Sequence, residues 1–186
     1  MSRIKPINYE QSIGKAKELL DAVKAKLGMT PNMMKTMAQS PAVLEAYLNF
    51  SGALAGGTLS GKLREEIALI AAEANGCGYC ASAHTAIGKM VGLDEAAILA
   101  AREGNSANAK DDAAIKFARK VIVNRGQVSE TDLAEVKAAG FTDGEVGEIV
   151  ANVALNVFTN YFNEIAETEV DFPAIEFPLK SLTANA

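Results

Sequence analysis

The sequence has 186 residues, of which 49% are hydrophobic and 22% are charged. A chain of this length buries roughly 70% of the surface that its unfolded form exposes, and the composition excludes an intrinsically disordered protein. Eighteen Lys and Arg residues against 23 Asp and Glu residues give a net charge of -5, and the sequence lacks the clustered cations that nucleic-acid binding requires.

Two further classes of protein are excluded by the sequence pattern. No apolar run approaches the ~18–20 residues of a membrane span, and the first residues lack the apolar stretch of a secretory signal. We therefore predict a cytoplasmic protein, with neither a membrane nor a nucleic acid among its partners.

Helical periodicity covers nearly the whole chain, and the alternation typical of strands is absent. Capping residues and Gly or Pro breaks divide the pattern into segments. The predicted helices run, in chain order, from Ser12 to Lys26, Ser40 to Leu54, Ser60 to Asn75, Cys77 to Met90, Asp94 to Arg102, Asp111 to Asn124, Ser129 to Ala139 and Thr142 to Glu167, with a short helical turn after Pro31. The sequence therefore predicts an all-α fold.

The chain has no linker that would separate two domains. We expect a single domain over residues 1–186, with an extended C-terminal arm from about Val170 as a candidate for reaching a neighbouring subunit. The last helix is apolar around most of its circumference, which predicts that several of its faces are covered. A homo-oligomer is the common way to cover them.

A weak internal repeat relates two of the predicted helical segments. The segment from Ser60 aligns with the segment from Thr142, and Glu66 then pairs with Glu148. The other pairs are Ile67 with Ile149, Ala72 with Ala154 and Tyr79 with Tyr161. Chance similarity between two amphipathic helices is the alternative explanation.

Cys77 and Cys80 are the two cysteines of the chain. A disulfide between them closes so small a loop that it adds little chain-entropy stabilisation. Cysteines placed in this way in a cytosolic protein are more often redox-active or metal-binding.

The one histidine, His84, follows Cys80 by four residues. In a helix that begins at Cys77, the three side chains occupy neighbouring positions of one face. The amides of a helix N-terminus and an adjacent imidazole both favour the thiolate, which is the reactive form of cysteine. The pattern indicates a cysteine peroxidase or a dithiol oxidoreductase.

Other interpretations of these residues stay open. The two cysteines and the histidine could be three ligands of a zinc site, or two inert buried thiols with a core histidine. Glu65 and Glu73 could be ordinary surface charges, and Tyr79 could be a plain core aromatic residue.

The motif Glu65-x11-Cys77-x2-Cys80-x3-His84 resembles that of the AhpD-like alkylhydroperoxidases in the carboxymuconolactone decarboxylase superfamily. The resemblance extends outward to the peroxidase-related branch of that superfamily and covers most of the chain. The flanking segments that carry it are Leu27–Asn32, Asn160–Asn163 and Asp171–Pro173.

The resemblance implies an AhpD-like helical bundle that reduces hydroperoxides with its cysteine pair. Cys80 would attack the peroxide and become a sulfenic acid, which Cys77 would convert to a disulfide. His84 and Glu65 would form a proton relay. In the best-studied members a histidine stands inside the Cys-x-x-Cys, where this sequence has Tyr79.

The same resemblance sets our expectations for partners. A hydroperoxide would be the substrate, and an unidentified thiol or dithiol would be the reductant, with no cofactor and no metal ion. The assembly would be a trimer or a trimer of dimers. The decarboxylases of the superfamily lack the cysteine pair, so a decarboxylase or lactone-type enzyme of the same fold is the alternative, and a zinc or redox-sensing module is a third.

The division of roles between the cysteines can also be argued from the residues. Cys77 lies nearer the helix N-terminus, whose dipole is worth roughly 0.3–1 kcal/mol at an exposed site. Cys80 lies one turn before His84, and general-base assistance contributes ~10²–10⁴-fold in rate. The larger effect predicts that Cys80 is the attacking thiol.

Two side-chain patterns have more than one interpretation. Four methionines could line an apolar access channel or, as is more common, fill gaps in the core; they are Met29, Met33, Met34 and Met37. A polar stripe on the last helix could fix a helix pair, face a subunit interface or line the active site, because buried amides need partners. The stripe consists of Asn152, Asn156, Asn160 and Asn163.

Overall fold

The structure is a computed structural model that describes residues 2–179. Over these residues it contains nine α-helices, one short 3₁₀ turn and no strand, so the all-α prediction is confirmed. The helices are α1 (Gly14–Leu27), α2 (Asn32–Met37), α3 (Pro41–Ala55), α4 (Gly61–Ala74), α5 (Gly78–Met90), α6 (Glu95–Glu103), α7 (Ala109–Val123), α8 (Glu130–Ala138) and α9 (Asp143–Ala166). None of these helices is long and apolar enough to cross a membrane.

Polar caps explain where several helices begin. The Ser60 hydroxyl accepts a hydrogen bond from the N–H of Leu63 at the start of α4. Ser129 and Thr142 each form a reciprocal capping box at the starts of α8 and α9. These are the residues from which the sequence predicted the same helix starts.

Two other helices, α7 and α3, begin differently from the prediction based on side-chain caps. Helix α7 begins at Ala109 rather than at the predicted Asp111, because the Asn108 side chain accepts the N–H groups of its first turn. Helix α3 has no side-chain bond from Ser40, and Pro41 stands at its first helical position. Proline suits that position because its missing N–H would have no helical partner.

Helix α4 is the central element of the fold and packs against α5, α6, α7 and α9. Its buried residues cover most of its circumference, and they are Leu63, Glu66, Ile67, Ala68, Leu69, Ile70, Ala71 and Ala72. One apolar core lies among α4, α7, α8 and α9. A second core, which includes both cysteines, lies among α1, α2, α3 and the start of α5.

A short break between α4 and α5 positions the cysteines. Gly76 has φ +71°, a left-handed conformation that glycine adopts without steric cost. The N–H of Cys77 then donates to the carbonyl of Ala72 at 2.9 Å, and α5 begins at Gly78. The reversal places Cys77 at the N-cap of a new helix.

The extended C-terminal arm packs back on its own chain. Phe172 and Phe177 lie against the core that holds the cysteines. A Cβ on Gly78 would meet the Phe177 ring at 3.2 Å, so only glycine fits there without displacing the ring. The arm thus covers the first turn of α5; its residues 180–186 lie outside the described part of the chain.

Candidate active site

The two cysteines are joined at the start of α5. A disulfide links Cys77 and Cys80, with 5.3 Å between their Cα atoms, and the residues are 0% and 3% exposed. The N–H of Cys80 donates to the Cys77 sulfur at 3.2 Å. The N-cap sulfur therefore occupies the place where a helix N-terminus stabilises negative charge.

His84 and Glu65 form a pair between α5 and α4. The His84 Nδ1 atom lies 2.7 Å from Glu65 Oε2, and the side chains are 20% and 16% exposed. An Nδ1–H that donates to the carboxylate leaves Nε2 as the free acceptor of the ring. One turn of α5 separates His84 from Cys80, so the structure brings all four predicted site residues into one region.

Tyr47 of α3 lies near this pair. Its burial, together with the nearby charge of Glu65, raises the pKa of Tyr47 to about 12, against a hydrogen bond with Ser51 that lowers it. Tyr47 is therefore a neutral phenol at physiological pH. The sequence pattern did not single it out, because a tyrosine on an amphipathic helix looks like an ordinary core residue.

Tyr79 stands between the cysteines in the sequence. Its hydroxyl forms hydrogen bonds with groups other than the His84–Glu65 pair. Its hydroxyl donates to Asp171 Oδ1 at 3.0 Å and accepts the N–H of Met33 at 3.2 Å. Its ring meets Phe172 edge-on, with 5.7 Å between the centroids. Burial raises the pKa of Tyr79 above its ordinary value. The residue thus ties the arm and α2 to the cysteine helix.

The asparagine stripe on α9 is buried, and its C-terminal half reaches the cysteines. Asn163 Nδ2 lies 3.3 Å from the Cys80 sulfur and 3.2 Å from the Met33 sulfur. Asn160 Oδ1 accepts from Asn75 Nδ2 at 2.9 Å. The periodicity of the stripe marked these residues as special, but only the packing of α9 on α5 reveals the contact with Cys80.

Three of the four methionines fill the core around the cysteines. Met33, Met34 and Met37 are 8%, 8% and 1% exposed, whereas Met29 is 38% exposed. The three buried residues belong to the same apolar cluster as Cys77 and Cys80. The core-filling interpretation therefore describes them.

Glu73 and Arg102 form a buried ion pair, with side chains that are 1% and 7% exposed. Burial raises the pKa of Glu73, and Arg102 opposes the rise. Arg102 Nη2 also donates to the Glu176 carbonyl at 2.7 Å, so the pair holds the arm in place. The interpretation of Glu73 as a surface charge is therefore wrong.

Metal binding was one alternative for the cysteines. Among residues 2–179, no group of three or more His, Cys, Asp or Glu side chains is arranged to hold a metal ion. Both sulfurs are engaged in the disulfide.

The helical fold of the described residues is AhpD-like, as comparisons with known proteins show. Residues 41–123 match the model of the carboxymuconolactone decarboxylase family, and none of the curated proteins matches the chain. An uncharacterised peroxidase-related protein from Ralstonia eutropha JMP134, with an AhpD core, is 24% identical over 91% of this chain and 92% of its own, with a TM-score of 0.83.

Two other solved structures have the same fold. A peroxidase-related protein from Silicibacter sp. TM1040 is 21% identical over 90% of this chain and 92% of its own, with a TM-score of 0.78. A cysteine-to-alanine variant of the debrominase Bmp8, in complex with 2,3,4-tribromopyrrole, is 21% identical over 92% of both chains, with a TM-score of 0.79. These likenesses show that the chain has the AhpD-like helical fold over 90–92% of its length.

Proposed function

We propose that the protein is a cysteine-dependent peroxidase that reduces alkyl hydroperoxides for antioxidant defence. One observation supports this most directly. Two cysteines close enough to form a disulfide lie at the start of α5, one turn before a histidine that is paired with a carboxylate. This is the arrangement that forms, uses and regenerates a thiolate.

The first step is attack by Cys80. His84, oriented by Glu65, accepts the proton of the Cys80 thiol. The thiolate then attacks the distal oxygen of the hydroperoxide, the O–O bond breaks, and the leaving alkoxide takes the proton back from His84 as an alcohol. Cys80 becomes a sulfenic acid, which is a two-electron oxidation of the sulfur.

The second step closes the disulfide. The Cys77 thiol attacks the Cys80 sulfur, and the sulfenic oxygen leaves as water. In total, two thiols and one hydroperoxide give one disulfide, one alcohol and one water molecule. A thiol or dithiol reductant, supplied from outside the chain, then reopens the disulfide by exchange. A cytoplasmic location fits this cycle, because that compartment is reducing.

A second candidate is reductive debromination by the same thiol pair, and its support is the likeness to Bmp8 over 92% of both chains. Two thiols and one carbon–bromine bond would give a disulfide, a carbon–hydrogen bond, bromide and a proton. The decarboxylase or lactone-type alternative differs from both, because it would leave the two thiols unchanged.

To test the proposal, one molar equivalent of tert-butyl hydroperoxide is added to the reduced, desalted protein, and the free thiols and the intact mass are measured. We expect the rapid loss of both free thiols and a mass decrease of about 2 Da, the two thiol hydrogens. The same measurement with 2,3,4-tribromopyrrole, followed by bromide release, tests the second candidate. Thiols that survive both reagents would overturn both redox proposals and favour the decarboxylase alternative.

We also propose that the protein is a homo-oligomer, either a trimer or a trimer of dimers. Large apolar side chains are exposed along one side of α9, and they are Val150, Phe158, Tyr161 and Ile165, at 42%, 40%, 56% and 64% exposure. A second copy is the partner that would cover this side. Light scattering at micromolar concentration tests the assembly, and a monomer would contradict it. Ile165→Glu, at the most exposed of these positions, is expected to dissociate the assembly.

A further inference from the structure

The four buried asparagines of α9 do two different things. Asn152 Nδ2 donates to the Glu148 carbonyl at 2.8 Å, and Asn156 Nδ2 donates to the Asn152 carbonyl at 2.9 Å. These two amides therefore bond one turn back along their own helix. Asn160 and Asn163 instead reach across to the segment that holds the cysteines. The stripe is structural at one end and joins the redox site at the other.

The Asn163 amide is poised between two sulfur atoms. Asn163 is 2% exposed, and its Nδ2 lies 3.2 Å from Met33 Sδ and 3.3 Å from Cys80 Sγ. A thioether sulfur only accepts hydrogen bonds, so it is the amide nitrogen, and not the oxygen, that belongs on this side. The opposite atom, Oδ1, has no hydrogen-bond partner among the described residues.

The Cys80 sulfur needs such a donor once the disulfide is reduced. A buried thiolate without a hydrogen bond is costly. The N–H of Cys80, which lies at the helix start, already serves the Cys77 sulfur. Asn163 offers Cys80 a separate N–H, and a hydrogen bond to a charged acceptor is roughly twice as strong as one between neutral groups.

We propose that Asn163 is a further catalytic residue, whose amide N–H stabilises the Cys80 thiolate. This inference rests on the proposed function, because it concerns the thiol that would attack the substrate. It also accounts for the roles of the two sulfurs. Cys77 has the better position on the helix, whereas Cys80 has Asn163 as donor and lies one turn before His84. The amide offsets the positional advantage of Cys77.

The experiment measures the pKa of Cys80 directly. In the Cys77→Ser background Cys80 is the one remaining cysteine of the chain, and the pH dependence of its alkylation by iodoacetamide gives its pKa. We expect Asn163→Leu, which keeps the side-chain size but removes the donor, to raise that pKa by roughly one to two units. Alkylation at neutral pH should slow by about tenfold or more.

The matched control is Asn156→Leu, at a position on the same helix that is 5% exposed and bonds to its own helix rather than to a sulfur. Its Cys80 pKa should equal that of the background. If Asn163→Leu does not fold, Asn163→Ala removes the donor with a smaller side chain and should raise the pKa in the same direction. A Cys80 pKa that is unchanged in a folded Asn163 variant would overturn the proposal.

Alkylation does not involve peroxide, so the two proposals can fail separately. If the Asn163 variants raise the pKa but the unmodified chain does not react with hydroperoxide, the thiolate role stands and the peroxidase proposal is wrong. If the chain is oxidised by hydroperoxide and the Asn163 variants leave the pKa unchanged, the reverse holds.

Discussion

The segments that start at Ser60 and at Thr142 begin alike and end differently. Each starts with a hydroxyl cap followed by a long amphipathic helix. The first segment breaks at Gly76 and restarts as α5, whereas α9 continues unbroken to Ala166. A helix start presents N–H groups without helical partners, and the interior of a helix does not. The break, rather than the helical pattern, creates a place for a thiolate.

The tyrosines at corresponding positions illustrate the same difference. Tyr79 follows the break and is 5% exposed, with both the arm and α2 bonded to its hydroxyl. Tyr161 lies within the continuous helix and is 56% exposed. Equivalent positions in the two segments therefore have different environments, and the cysteines and the histidine lie in the first segment.

The largest expected effect comes from removing the thiols that the break positions. Cys77→Ser should leave a sulfenic acid on Cys80 that dimedone traps after peroxide treatment, because the resolving thiol is gone. Cys80→Ser should give little trapped product at Cys77 and abolish turnover. Mass spectrometry of the labelled peptides distinguishes the two outcomes. The reverse labelling pattern would mean that helix position outweighs the histidine.

The next effect concerns His84, whose place in the second segment is taken by Ala166. His84→Gln removes the base, so thiol oxidation near neutral pH should slow by roughly 10²-fold or more. The rate should recover partly as the pH rises towards the free-thiol pKa of ~8.5, where ionisation no longer needs the imidazole. Stopped-flow rates across this pH range measure the effect. Glu65→Gln, which leaves the imidazole in place, is the control and should slow oxidation less. A His84→Gln rate equal to that of the unmodified chain would exclude the proton relay.

Glycine-to-alanine substitutions in the two segments should change the free energy of unfolding in opposite directions. Gly76→Ala forces a Cβ into the left-handed conformation and should lower the free energy of unfolding by about 1–2 kcal/mol. Gly147→Ala places a methyl group where nothing lies within 4 Å, inside α9, and should raise it by about 0.5–1 kcal/mol. Urea unfolding of the two variants measures both. Equal shifts in the same direction would show that the break imposes no conformational constraint.

The sequence predicted most of the helix starts, because caps and glycine breaks are local signals. The motif spacing also singled out four residues that the structure brings into one region, the Cys77–Cys80 pair and the His84–Glu65 pair. The contacts of Tyr79 with Asp171 and of Asn163 with Cys80 join residues 92 and 83 positions apart. No local pattern determines such contacts, since they depend on how α9 and the arm pack against α5. Tyr79 stands where the best-studied AhpD-like proteins have a histidine, and only its hydrogen-bond partners reveal that it holds the arm.

The smallest expected effect concerns Glu66 and Glu148, which occupy corresponding positions in the two segments. The free energy of unfolding should depend on pH differently at these two positions. Burial and the nearby charge of Asp111 raise the pKa of Glu66, against a hydrogen bond from Ser106 that lowers it. The N–H groups of Thr58 and Leu59 lower the pKa of Glu148. A raised pKa in the folded state gives stability at low pH that is lost as the pH rises through that pKa. A lowered pKa gives stability above the unfolded pKa that is lost as the pH falls.

Glutamine substitutions at these two positions should therefore have opposite pH profiles. Glu148→Gln should cost up to about 1 kcal/mol of unfolding free energy at pH 7, because the N–H groups of Thr58 and Leu59 lose a charged acceptor that solvent partly screens. The cost should shrink as the pH falls below ~4. Glu66→Gln should become relatively more stabilising as the pH rises from 4 to 7, since the buried charge is removed. Urea unfolding between pH 3 and pH 8 measures both profiles. Parallel profiles for the two variants would mean that the two positions share an environment as well as a sequence pattern.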